Sequence, residues 1–259
     1  MPSNTPLTDA INALTQYANE TTGASDTTLS DAVATLAAGY GGGGSGWTTD
    51  GIASKTEPNG AITISSAVDT IQNRAFFEYQ GITEVTIEGD PYLGGNAFQN
   101  CRNLETLNTP NLTKLKSGYY NSTTYAFQGC SKLKGVVFPN FGNNGIDSYN
   151  FQNCTALTYA DFKNLQKIGG ADVFTNTALN VLVIRKTDSV TTLQGVNNFN
   201  SSPFASSGTG GTLYVPNALI SSYQSASQWS TILGYANNQI KAIEGSYYET
   251  HYADGTPIE

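Results

Sequence analysis

One phrase recurs along this chain and restricts its fold more than any other feature. The string "AFQGCSKLKGVVFP" (126–139) is preceded by "AFQNCRNLETLNTP" (97–110) and followed by "NFQNCTALTYADF" (150–162). Aligned on the phenylalanine, five copies begin at Phe76, Phe98, Phe127, Phe151 and Phe174, spaced 22, 29, 24 and 23 residues apart. Each Phe is followed by a largely apolar trio with internal steps of three and two. The trios are Ile82/Val85/Ile87, Leu104/Leu107/Thr109, Leu133/Val136/Phe138, Leu157/Ala160/Phe162 and Leu179/Leu182/Ile184. A further apolar residue stands five before the Phe at Ile71, Leu93 and Ile146, six before it at Ile168, and twelve before it at Leu115, where "SGYYNSTTY" (117–125) is inserted.

The last two members of each trio alternate with a strand's period, so both face the same side. A unit of about 23 residues cannot bury its own apolar face, and such units must stack. The expected fold is mainly β: a right-handed solenoid with one parallel sheet, with the Phe and the preceding Ile or Leu buried on the return path. Cys101, Cys130 and Cys154 hold one place in consecutive coils, filled by Tyr79 or Gln80 and by Thr177 in the outer coils. Stacked thiols suggest a metal, but structural zinc takes four N or S ligands and this rung offers three with no histidine nearby. A small, weakly polar, commonly buried side chain suits an interior rung, so packing is expected and no metal.

The pattern A-F-x-x-C-x-x-L-x-x-L/V-x-x-P, with Ile or Leu five before the Phe, resembles the BspA-like class of leucine-rich repeats. The segment "GTLYVPNALISSYQSASQWSTILGYANNQIKAIEG" (211–245) is similar to that family's C-terminal cap: a strand, a short helix with Tyr223, then Trp229 and a last strand. The resemblance covers about residues 61–245 and implies a leucine-rich-repeat solenoid that recognises other molecules. The insert and the stretch 187–210 are expected to interrupt the regular coils.

A second repeat lies ahead of the first. "LTDAINAL" (7–14) and "LSDAVATL" (29–36) align Leu7, Ile11 and Leu14 with Leu29, Val33 and Leu36. Thr/Ser and Asp at each start suit a helix N-terminus, and the apolar steps of three and four suit one buried helix face. Residues 1–38 therefore read as a helical hairpin, 39–60 as a glycine-rich linker ("GYGGGGSG") and lead-in, and 246–259 as a tail. So small a hairpin is marginal alone, which implies docking onto sister copies or a larger particle. Folding back over the first coil is the other expectation. Hairpins of this LTDAI…LSDAV type followed by glycines resemble the N-terminal parts of tail-associated proteins of phages and prophages of gut bacteria. That likeness implies a virion location, other tail proteins as partners, and a homo-oligomer, with a trimer favoured.

Composition narrows function further. Only 12 Lys and Arg are scattered through a chain of net charge −8, so nucleic acid is not an expected partner. No run of 18 apolar residues exists, so membrane insertion is not expected. The N-terminus has no basic start or apolar run, so a secretory signal is not expected. The single histidine, His251, lies in the tail and is expected to be solvated or strand-paired rather than catalytic. Glu84, Glu88 and Asp161 are too dispersed to nominate as a glycosidase pair. Residues 41–46 lack the Lys and Ser/Thr of a phosphate loop. The chain is expected to be no enzyme and to need no cofactor; polysaccharide cleavage is the weaker alternative.

Binding is the expected role, with a bacterial-surface protein or glycan as partner. Strand residues alternating with the buried trios should project outward as ladders: Glu84, Thr86, Glu88, Thr106, Asn108, Val137, Tyr159, Asp161, Lys163, Val181, Val183 and Arg185. Of the insert, Tyr119, Tyr120, Asn121 and Tyr125 are candidates, because Tyr offers large amphipathic contact area and Asn adaptable hydrogen bonds. The competing readings are an ordinary solvated sheet face and tyrosines that staple the coil locally. A cell-associated adhesion module is the alternative to a virion receptor-binding protein.

Overall fold

The computed structural model describes residues 58–115, 125–142, 144–235 and 237–258. The expected hairpin residues Leu7, Ile11, Leu14, Leu29, Val33 and Leu36 lie outside the described residues, as do Tyr119, Tyr120 and Asn121 of the insert.

Eight strands form one sheet, every neighbouring pair parallel: β1 (Gly60–Ile64), β3 (Ile82–Ile87), β5 (Thr106–Asn108), β6 (Gly135–Phe138), β8 (Tyr159–Phe162), β10 (Val181–Ile184), β12 (Thr212–Val215) and β13 (Gln239–Ala242), in that spatial order. The register is the one the trios require. Val136, Ala160, Leu182 and Leu213 lie side by side, as do Phe138, Phe162 and Ile184, and all are buried. Parallel pairing follows because each strand is reached only after a complete turn of the coil.

The return path forms ladders of its own. Ile71 of β2 (Thr70–Ile71) pairs with Leu93 of β4 (Tyr92–Leu93). Leu115 bridges to Ile146, and β7 (Asn144–Ile146), β9 (Leu165–Ile168) and β11 (Thr192–Leu193) align Ile146, Ile168 and Leu193. Leu115 thus keeps its rung despite the twelve-residue step, because the inserted residues follow it in the sequence. These small sheets add to the single sheet expected.

The repeated phenylalanines stack face to face. Ring centroids are 4.6 Å apart for Phe76–Phe98, 5.3 Å for Phe98–Phe127, 5.8 Å for Phe127–Phe151 and 5.6 Å for Phe151–Phe174. A sixth rung follows at Phe199, 5.7 Å from Phe174. Residues 187–210, expected to interrupt the coils, therefore form a coil. Its strand residues Leu213 and Val215 come five or six positions later than in the other repeats, which hid the register. Phe204 fills part of that excess by packing on Phe199 at 5.3 Å.

The turns around each Phe explain the polar residues of the phrase. Residues two before or two after it take positive φ: Arg74, Glu78, Asn96, Asn100, Gly129, Tyr149, Asn153, Asp172, Asn176 and Ser201, all between +53° and +74°. Asn, Asp and Gly tolerate this left-handed region best. The kinks aim backbone N–H groups along the stack, so Phe98 N donates to Ala126 O at 2.8 Å and Asn100 N to Gln128 O at 2.7 Å.

The C-terminal end is closed by helices α1 (Ile220–Ser225) and α2 (Ser227–Leu233). Trp229 ends the aromatic stack 6.2 Å from Phe199, and its indole Nε1 donates to Thr191 O at 2.6 Å. Thr191 N donates to the Tyr223 hydroxyl at 3.0 Å. No helix among the described residues is long and apolar enough to cross a membrane.

Candidate functional site

The cysteines belong to the interior. All three are thiols with no exposed surface. Cys101 Sγ donates to Phe76 O at 2.9 Å, Cys130 Sγ to Phe98 O at 3.2 Å and Cys154 Sγ to Phe127 O at 3.2 Å. Each thiol gives a carbonyl of the preceding coil a second donor, beside the backbone N–H three residues on in that coil. Burial pushes the Cys154 thiol up to about 12 and raises Cys130 well above its ordinary value, so both stay protonated. Thr177 and Ser202 hold the same place in later coils, donating to Phe174 O at 2.8 Å and Phe199 O at 2.6 Å.

The outward face of the large sheet, where the sequence placed the binding rungs, divides into two parts. Over β3, β5 and β6 it is open. Glu88, Thr106 and Asn108 are exposed, and Glu84, Thr86 and Val137 are half-buried. Asn108 Nδ2 donates to Glu84 Oε1 at 2.9 Å and Thr86 Oγ1 at 3.2 Å, which fixes the amide across two strands. Tyr159 marks the border. Its ring lies over Gly135 of the adjacent strand so closely that a Cβ there would come within 2.0 Å of it.

Beyond Tyr159 the middle of the face on β8 and β10 is covered, contrary to the expectation that every rung projects into solvent, while Gln239 and Lys241 of β13 stay exposed. Asp161 is 1% exposed and Val183 0%. Arg185 Nε and Nη2 grip Asp161 Oδ1 and Oδ2 at 2.8 and 2.7 Å, and the same guanidinium donates to the carbonyls of Tyr248 at 2.7 Å and His251 at 2.9 Å. Ala253 N donates to Asp161 Oδ2 at 3.0 Å. The C-terminal tail thus lies across β8, β10 and β12, and neither Asp161 nor Arg185 meets solvent as a ligand-binding rung would. Burial raises the Asp161 carboxyl above its usual range despite the arginine.

Two further expectations are located by the structure. Tyr125 stacks on Tyr149 of the next coil at 4.8 Å, as a local staple. His251 is paired in the tail: it bridges to Pro257 and stacks on Tyr247 at 4.4 Å. Lys163 is exposed at the end of β8, 3.5 Å from Asn140 Oδ1. A separate hollow of about 270 Å³ lies on the return-path sheet, lined by Asn144, Gly145, Gln166, Lys167 and Thr192. None of the residues nominated from sequence lines it.

The pattern that defines the BspA-type leucine-rich repeat region matches six copies here, over residues 55–125 and 113–207. The chain belongs to that family. The six matched copies agree with the six stacked phenylalanines, including the coil at Phe199 that spacing alone did not reveal. No curated protein matches the chain. Leucine-rich repeat domains generally serve protein interaction or adhesion.

Proposed function

We propose that this BspA-type domain is the receptor-binding part of a phage tail protein, and that it recognises a protein or glycan of a bacterial surface. Ligand contact falls to the uncovered rungs Glu84, Thr86, Glu88, Thr106, Asn108 and Val137, bordered by Tyr159. The observation that carries the reading is this split: a rigid parallel sheet whose rungs on β8 and β10 are covered and whose near half presents ordered carboxylates, an amide and hydroxyls. Such side chains fix orientation in polar recognition. The virion half of the proposal is supported by the likeness of residues 7–36 to tail-associated proteins. In it, residues 1–38 attach the domain to the tail or to sister copies, as a trimer.

The full chain binding to candidate bacterial cells tests the first half. Glu88→Lys with Asn108→Trp should lower binding at least tenfold while leaving the melting temperature unchanged. Unchanged binding would move the site off this face. Deleting residues 1–38 should abolish both particle incorporation and self-association; a truncated chain that still incorporates would refute the attachment role.

A further inference from the structure

The tail's seat on the sheet has the chemistry of a peptide site. Three of its polar contacts go to main-chain atoms: the carbonyls of Tyr248 and His251 and the amide of Ala253. Main-chain contacts select a backbone shape rather than a sequence; here that shape is a 3-10 turn at Tyr247–Glu249 followed by a loop closed by the His251–Pro257 bridge. Side chains add two aromatic contacts, Tyr248 edge-on to Tyr214 at 4.5 Å and Tyr252 beneath the Arg185 guanidinium at 5.1 Å.

The core does not need this segment. Trp229, Tyr223, Ile232 and Val215 already close the end of the continuous apolar interior, and Val183, which the tail covers, lies outside that interior. Gly245 at the root of the tail is exposed, has φ +75°, and has no atom within 4 Å of where a Cβ would sit. Swinging the chain there breaks the hydrogen bonds from Gly245 N to Glu249 Oε2 at 2.9 Å and from Ser246 Oγ to Ile243 O at 2.6 Å. Once the tail is lifted, Asp161 and Arg185 still hold each other through two hydrogen bonds, so the seat survives as a solvated, preformed ion pair.

We propose that Asp161 and Arg185 form a clamp for the main-chain atoms of a turn-forming peptide segment, and that the tail (246–258) is its displaceable occupant in the free protein. The partner is a polypeptide that forms such a turn, with aromatic side chains flanking a free carbonyl–amide stretch. This site is separate from the open half of the sheet, and either could fail without the other.

The probe is a labelled synthetic peptide with the sequence of residues 246–258, followed by fluorescence anisotropy on the full chain. Tyr248→Ala with Ala253→Pro weakens the tail without touching the clamp. That variant should bind the peptide at least tenfold more tightly than the unaltered chain, and adding Asp161→Asn with Arg185→Gln should remove the gain. Absence of peptide binding by a cooperatively folded tail variant overturns the proposal, as does binding indifferent to the clamp substitutions. Hydrogen exchange on the unaltered chain gives a second reading. The amides of Tyr252, Ala253 and Ile258 should exchange at least a hundredfold faster than those of β10 and β12. Exchange of both sets at one common rate would make the tail a permanent part of the fold and would overturn the proposal independently.

Discussion

Cys130 Sγ sits 3.2 Å from the carbonyl of Phe98, a residue of the preceding coil, and both are fully buried. The contact recurs one coil on each side, through Cys101 and Cys154. A thiol here is small enough for the rung and polar enough to give that carbonyl a second donor. Cys130→Ala should cost about 0.5–1.5 kcal/mol for the lost hydrogen bond, because Phe98 O keeps the Cys101 N–H at 3.2 Å. Cys130→Ser should cost less, since Ser202 shows a hydroxyl at the same place. Urea unfolding of the three proteins checks the order.

The same burial makes stability depend on alkaline pH. Cys154 titrates near 12 in the folded chain against an ordinary 9.0. A raised thiol favours the folded state fully below the unfolded value, and that advantage is lost as pH climbs from 9 towards 12. The decline should be about 1.4 kcal/mol per pH unit for this one group. Unfolding curves between pH 8 and 11 should show it, and Cys154→Ala should remove this group's share of the slope while that of the buried Cys130 thiol remains.

Phe127 lies mid-stack, parallel to Phe98 and Phe151 at 5.3 and 5.8 Å. Phe127→Ala should destabilise by about 3–5 kcal/mol, through lost burial and a cavity that flanking coils cannot collapse into. Thermal unfolding by circular dichroism measures this.

Gly135 makes room for Tyr159 at the border between the open and covered halves. Gly135→Ala should cost about 1–3 kcal/mol by forcing the ring aside. Tyr159→Ala in the same chain should recover most of the loss, giving a coupling energy that a double-mutant cycle reads.

The architecture was legible because its determinants are local and repeated. Val85, Leu107, Val136 and Ala160 recur nine residues after a Phe and Leu182 eight after, and stacking turns that step into register. The coil at Phe199 was not legible because its strand residues are displaced, although Ser202 already stood in the cysteine's place. The Asn residues two after the Phe, such as Asn100, Asn153 and Asn176, were a turn signal that spacing arguments passed over. The candidate site was legible only in part. Periodicity gave the outward direction of Asp161 and Arg185, but the tail that covers them docks through its backbone, 63 residues along the chain from Arg185 in the case of Tyr248. Backbone recognition leaves no pattern in side-chain identity.

Deuterium exchange of the full chain, alone and bound to a bacterial envelope fraction, tests the recognition surface most directly. Protection confined to peptides spanning 82–88, 106–108 and 135–138 is the predicted result. Protection on the return-path strands 144–146 and 165–168, with the open rungs unchanged, would contradict it.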